Sequence, residues 1–140
     1  MYLVDTNVIS HLRRRAIAHP NVVAWAARNS WASLFVSTIT LMEIEVGALL
    51  IERRDPSQGA MLRKWFHNQV LPRFFGRVLV VDTAVALRAA ELHVPNRRPA
   101  ADALIAATAM VHGLTVVTRN VADFAPIGVP VLNPWLLEHS

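Results

Sequence analysis

The chain contains no cysteine, which excludes disulfides, thiolate metal sites and cysteine nucleophiles. That absence accords with a reducing cytoplasm, where we expect the protein to work. Lysine is nearly absent: Lys64 is the single one among 14 basic residues. The five glycines form no phosphate-cradling loop, so a nucleoside triphosphate is not expected as ligand. Long apolar runs are missing too. The longest, Ala103–Val111, is far short of the roughly 20 residues that a membrane span needs. Asp5 stands where a secretory leader would turn apolar, so no leader is expected. Charged residues are only 17% and hydrophobic ones 54%, which excludes intrinsic disorder. No repeat or linker interrupts the 140 residues, and a single domain over 1–140 is expected.

What is present is an apolar surplus, with a mean hydropathy of +0.34. Since no segment can cross a membrane, that surplus is expected to serve a protein interface. The net charge is +4, carried by arginine. Arginine forks match phosphate, but arginine bias also arises from base composition, and +4 alone is weak evidence for an anionic partner.

Short apolar runs alternate with helical patterns. Strands are expected at Met1–Val4, Leu34–Val36, Val78–Val81, Thr115–Thr118 and Val129–Leu132. A helix starts after Asp5-Thr6-Asn7 and runs into Arg13-Arg14-Arg15, and Pro20 opens a second. Another begins at Thr40, with Leu41, Ile44, Ala48 and Ile51 at helical spacing. A further one starts near Pro56 and should end at Pro72. Asp82 should cap the next. Ala100–His112 reads as a helix apolar nearly all round, closed by Gly113. Continuous apolar strands alternating with helices predict an α/β fold, a parallel sheet covered on both faces. Ligands of such folds bind beyond the carboxyl ends of the strands.

Four of the ten acids are oddly placed for solvent: Asp5, Glu43, Asp102 and Asp123. Asp5 and Asp123 follow the first and fourth strands, and Glu43 and Asp102 lie in first helical turns. Each has a structural alternative. Asp5 can be an N-cap, Thr40 to Glu43 fits a capping box, Asp102 can complement a helix N-terminus, and Asp123 can make an Asx turn. Glu45, Glu52, Glu91 and Glu138 read as solvated, and Asp55 and Asp82 as caps. If the four acids meet, they repel unless a cation neutralises them. Hard oxygen donors, with neither cysteine nor a histidine pair one turn apart, suit Mg²⁺ or Mn²⁺ rather than Zn²⁺. Such a site serves phosphoryl or phosphodiester transfer. The six histidines are scattered and read as structural or exposed.

The residues also carry a resemblance. Met1-Tyr-Leu-Val-Asp5-Thr6-Asn7-Val8-Ile9-Ser10 resembles the opening of PIN-domain ribonucleases, specifically VapC-type toxins. Ser37 to Gly47, Ala101 to Ala109 and Val117 to Phe124 resemble their second, third and fourth motifs, in order and at matching spacing. Asn133-Pro134-Trp135 with Glu138-His139 is similar to the FitB-like branch. The resemblance implies a three-layer α/β/α domain around a mostly parallel sheet of four to five short strands. It implies an endoribonuclease with Mg²⁺, or Mn²⁺ in its place, and catalytic residues Asp5, Glu43, Asp102 and Asp123. Asp5 and Asp102 would be the direct metal ligands, with Thr118 and Asn7 supporting them. The fourth position stays open between Asn120 and Asp123.

The implied partners are an RNA substrate and a VapB- or FitA-like antitoxin. Homodimerisation is expected, as is assembly with the antitoxin into a heterotetramer or larger complex, with operator DNA reached only through the antitoxin and no membrane. The alternative is a binding module acting mainly in operator autoregulation. A haloacid-dehalogenase-type phosphatase is disfavoured, because position 7 is asparagine rather than a second aspartate. Setting the four acids aside leaves fourteen basic residues against six acidic ones, a surplus of +8. Arg13–Arg15, Arg97, Arg98 and Arg119 are the candidates to flank the acidic pit and hold phosphates.

Overall fold

The computed structural model describes residues 1–136. Five strands form one parallel sheet: β1 (Tyr2–Val4), β2 (Leu34–Ser37), β3 (Val78–Leu79), β4 (Thr115–Val117) and β5 (Val131–Leu132). Their spatial order is β3-β2-β1-β4-β5, with Leu3 opposite Phe35 on one side and Val116 on the other. The third and fifth strands are shorter than the sequence predicts.

Helices α1 (Thr6–His11) and α2 (Pro20–Arg28) follow β1. After β2 come α3 (Thr38–Arg54), α4 (Pro56–Trp65), a π turn over Phe66–Val70 and α5 (Leu71–Arg73). Next are α6 (Thr83–Leu92) and α7 (Ala100–His112), and α8 (Val121–Phe124) follows β4. Alternation along each strand sends neighbours to opposite faces. Val4, Val36 and Val117 pack with Val8, Trp25, Ile44 and Phe66 on one face. Leu3 and Val116 pack with Ile105, Ala106, Ala109 and Phe124 on the other. Helices therefore cover both faces. Each fully buried Val, Leu or Phe contributes about 1.5–3 kcal/mol.

Two local expectations change, and a third holds to within one residue. Helix α3 starts at Thr38 rather than Thr40, because the Ser37 hydroxyl accepts from the Ile39 amide at 3.0 Å and takes the N-cap position. Thr40 is then fully buried within the helix, and its hydroxyl has no partner among the described residues. Pro72 stands one residue before the helical run stops at Arg73, close to the expected end. The extra residue of the π turn re-phases the chain, and Pro72 falls in the first turn of α5, where no amide donor is required. Glu45 and Glu52 are not simply solvated: both pair with Arg63 across the α3–α4 hairpin, at 3.1 and 3.6 Å, and His67 also bonds Glu45.

Other expectations hold. Asp55 and Asp82 cap α4 and α6 through the amides of Gln58 and Val85. Gly113 ends α7 with φ +67°, a left-handed conformation that costs glycine little. Helix α7 is buried through Ala103 and Ile105–Ala109, but Val111 is exposed. Among the described residues no helix is long and apolar enough to cross a membrane.

Candidate functional site

Strand β1 lies between β2 and β4, so the chain leaves it first to one side and later to the other. The crevice at the carboxyl ends of β1 and β4 is the switch point of such a sheet. Asp5 stands there. Its amide still donates to Val117 O at 2.9 Å, which fixes its height at the sheet edge, and its carboxylate then begins α1.

The Asp5 carboxylate is buried and held on both oxygens. Oδ1 accepts from the Thr6 amide at 2.8 Å. Oδ2 accepts from the Thr118 hydroxyl at 2.8 Å and from Asn7 Nδ2 at 3.3 Å. Thr118, fully buried at the end of β4, accepts in turn from Asn7 Nδ2 at 3.1 Å and from the Asn120 amide at 3.0 Å. Asn7 completes the loop by accepting from the Arg119 amide at 3.1 Å. Asp5 is thus both a helix cap and the centre of a polar network, so the two alternatives for it are compatible.

Glu43 does not close a capping box. Its Oε1 accepts from the Thr6 hydroxyl at 3.0 Å, which turns it from α3 toward the start of α1. Thr6 is the site residue that sequence reasoning passed over; its adjacency to Asp5 in the first turn of α1 was the available signal. Asp102 lies in the first turn of α7 and Asp123 in α8, exposed beyond β4.

Like-charge repulsion links these acids, with Asp102 feeling the other three. The Asp5 carboxyl is pushed above the ordinary carboxylate range by burial, and Asp123 adds repulsion, against the lowering effect of its hydrogen bonds. Asp102 is also raised, first by burial and then by repulsion from Asp123, Asp5 and Glu43. Of the two candidates for the fourth position, Asp123 is the one whose charge reaches both. The donor set is all oxygen, which suits a hard divalent ion. Among the described residues no three His, Asp or Glu side chains form a ready-made cage for one. Mg²⁺ commonly keeps several waters and takes only one or two carboxylates, so a closed cage is not required.

One cavity adjoins the site, and a second lies next to the first. The first, of about 300 Å³, is lined by Thr6, Ser10, Glu43, Ile44 and Leu62. The other, of about 680 Å³, is walled by Leu12, Trp25, Trp31, Val70 and Phe74. Arg13 and Trp65 line both.

A parallel sheet covered by helices on both faces, with a buried carboxylate at its switch point and further acids nearby, defines a class of α/β/α domain with an acidic crevice. The chain belongs to the PIN domain family, whose pattern it matches over residues 2–127. It is 38% identical to toxin FitB of Neisseria gonorrhoeae, with 96% of this chain and 99% of that protein covered. It is 33% identical to the VapC ribonuclease Y4jK of Sinorhizobium fredii, over 96% and 98%. Among solved structures, FitAB bound to an IR36 DNA fragment matches with a TM-score of 0.88 at 36% identity, covering 99% of each chain. Glu138 and His139, part of the resemblance to the FitB-like branch, lie outside the described residues.

Proposed function

We propose that this protein is a divalent-metal-dependent endoribonuclease and the toxin half of a type II toxin–antitoxin pair. One observation carries it: a buried Asp5, clamped by Thr118, Asn7 and Thr6, feels the charge of Asp123 and repels Asp102 at the sheet's switch point, and Thr6 ties Glu43 to the same corner. Asp5 and Asp102 would hold Mg²⁺, or Mn²⁺ in its place. When bound, the ion supplies an activated water and charge stabilisation for the leaving oxygen of a phosphodiester. Thr118 and Asn7 aim Asp5 by donating to Oδ2, and they partly offset the upward push of burial on its carboxyl. Thr6 aims Glu43, and Glu43 and Asp123 complete the polar surround and orient water. A module that only binds a partner has no need to keep mutually repelling carboxylates together.

The antitoxin would lay an amphipathic helix along the two adjoining cavities, whose walls include Trp25, Trp31 and Trp65. Because Glu43 and Thr6 line the smaller one, an arginine on that helix can reach the acids and satisfy two carboxylates at once. Operator DNA would be engaged through the antitoxin, in keeping with a DNA-bound relative. Homodimerisation fits the exposed apolar stripe of Met42, Val46, Leu49 and Leu50 on the outer face of α3. Sedimentation should then give a mass near twice 15.5 kDa. The deciding experiment titrates Mn²⁺ calorimetrically into wild type, Asp5→Asn and Asp102→Asn and follows RNA cleavage in parallel. Both variants should lose Mn²⁺ binding and cleavage while staying folded; unchanged Mn²⁺ binding in both refutes the assignment.

A further inference from the structure

Four carboxylates at one sheet edge repel an RNA backbone, so the strand needs a cation beside them. Several arginines are committed elsewhere in the fold, and Arg13 lines the cavities beside Glu43. Arg63 pairs with Glu45 and Glu52, and Arg88 with Glu91. Arg77 donates to the carbonyls of Trp31, Leu34 and Arg73. Arg98 donates to the Leu92 carbonyl.

Arg119 differs in two respects. Its backbone belongs to the site: it directly follows Thr118, and its amide donates to Asn7, which itself donates to Asp5. Its guanidinium has no carboxylate partner among the described residues and lies over the ring of Trp135, with Cζ 5.3 Å from the centroid. Trp135 is itself fixed. Its carbonyl accepts from Asn21 Nδ2 at 2.8 Å, its amide donates to Asn133 Oδ1 at 2.9 Å, and its ring meets that of His11 at 5.0 Å. Asn7 and His11 are one turn apart on α1, so one helix face carries both anchors. The result is an exposed cation on a buried aromatic shelf, its backbone pinned to the acid network.

We propose that Arg119, stacked on Trp135, is the positioning residue that binds an RNA phosphate flanking the scissile one. Stacking leaves the N–H edges of the planar fork free for phosphate oxygens, and it holds the fork in place before RNA arrives. The inference rests on the ribonuclease reading above.

The test uses the full chain and a fluorescein-labelled, mixed-sequence single-stranded RNA. Binding is followed by anisotropy in EDTA from about 50 to 200 mM salt. Arg119→Ala should bind about tenfold more weakly at the low end, and its log-affinity slope against log salt should be shallower by about 0.7. Arg119→Lys should restore the slope but not the full affinity, because an ammonium cannot stack flat or bind bidentately. Arg54→Ala, at the far end of α3 and about 16 Å along that helix from Glu43, should match wild type. In Mn²⁺, Arg119→Ala should raise KM with little change in kcat, the signature of lost uniform binding, and its calorimetric Mn²⁺ affinity should equal that of wild type. An unchanged slope in Arg119→Ala, or a loss of Mn²⁺ affinity, overturns the proposal while wild-type cleavage leaves the ribonuclease reading standing. If wild type neither binds RNA nor cleaves it with Mn²⁺, both fall together.

Discussion

Gly59 sits in α4 where it crosses α3, and it is buried. A Cβ built there falls 2.3 Å from the Cα of Glu52 and 2.5 Å from its amide nitrogen. These are backbone atoms in mid-helix, and no rotamer change relieves the contact. Ordinary van der Waals contact begins near 3.4 Å, so the two helices must separate by about 1 Å. Overpacking of this kind costs about 1–3 kcal/mol, and the shift also strains the Arg63 bridges to Glu45 and Glu52. Against this, alanine in a helix gains about 1 kcal/mol over glycine. Gly59→Ala should therefore lose up to about 2 kcal/mol, lowering the melting temperature by up to roughly 7 °C, and should fall about 1–3 kcal/mol below Gly47→Ala. Gly47 on α3 provides the internal control, since a Cβ there meets nothing within 4 Å. Gly47→Ala should gain up to about 1 kcal/mol from propensity alone. Urea and thermal unfolding of the two variants measure both numbers. If Gly59→Ala proves as stable as Gly47→Ala, the close helix crossing is not what selects glycine at position 59.

Three further outcomes are expected. Burial and like charge raise the Asp102 carboxyl, so the stability its neutral form confers is full below the unfolded value of about 3.9 and is lost as pH rises through the folded one. Asp102→Asn should accordingly raise the urea midpoint at pH 7 without added metal and leave it unchanged near pH 3; a lower midpoint at pH 7 refutes the repulsion. Thr118→Val removes a fully buried hydroxyl that serves Asp5, Asn7 and Asn120, and should cost about 1–3 kcal/mol. It should also weaken Mn²⁺ binding about 10–100-fold, read by calorimetry. Phe124→Ala empties a fully buried site beside Asp123 and should cost about 3–5 kcal/mol in chemical denaturation.

Much of the architecture is legible because burial imposes a period. The strands are continuous apolar runs, the helices carry stripes, and Asp55, Asp82 and Gly113 are caps whose local chemistry suffices. Asp5 is legible for the same reason: a carboxylate directly after a buried strand has few places to go. What fails are choices decided by competition between neighbours. Ser37 and Thr40 both offer a capping hydroxyl, and the winner is set by where β2 stops pairing, which no local pattern encodes. Glu45 and Glu52 look solvated until Gly59 brings α4 close enough for Arg63 to reach them. Within the site, acids can be shortlisted from sequence. The Thr6 contact to Glu43 and the Arg119–Trp135 stack join segments too far apart in the chain for spacing to reveal.

The order of the strands also sets a schedule. Asp5 leaves the ribosome early, but the hydroxyl that steadies it belongs to Thr118, and β1 has no neighbour on that side until β4 has been made. Asp123 comes later still. At about 5–20 residues per second, translation leaves an interval on the order of ten seconds between the first carboxylate and the last. During that interval the nascent chain holds Asp5 and Glu43 without the elements that complete the cluster. Any activity that depends on all four acids must therefore wait until nearly the whole polypeptide has been translated, and a ribosome carrying an unfinished copy is not exposed to it.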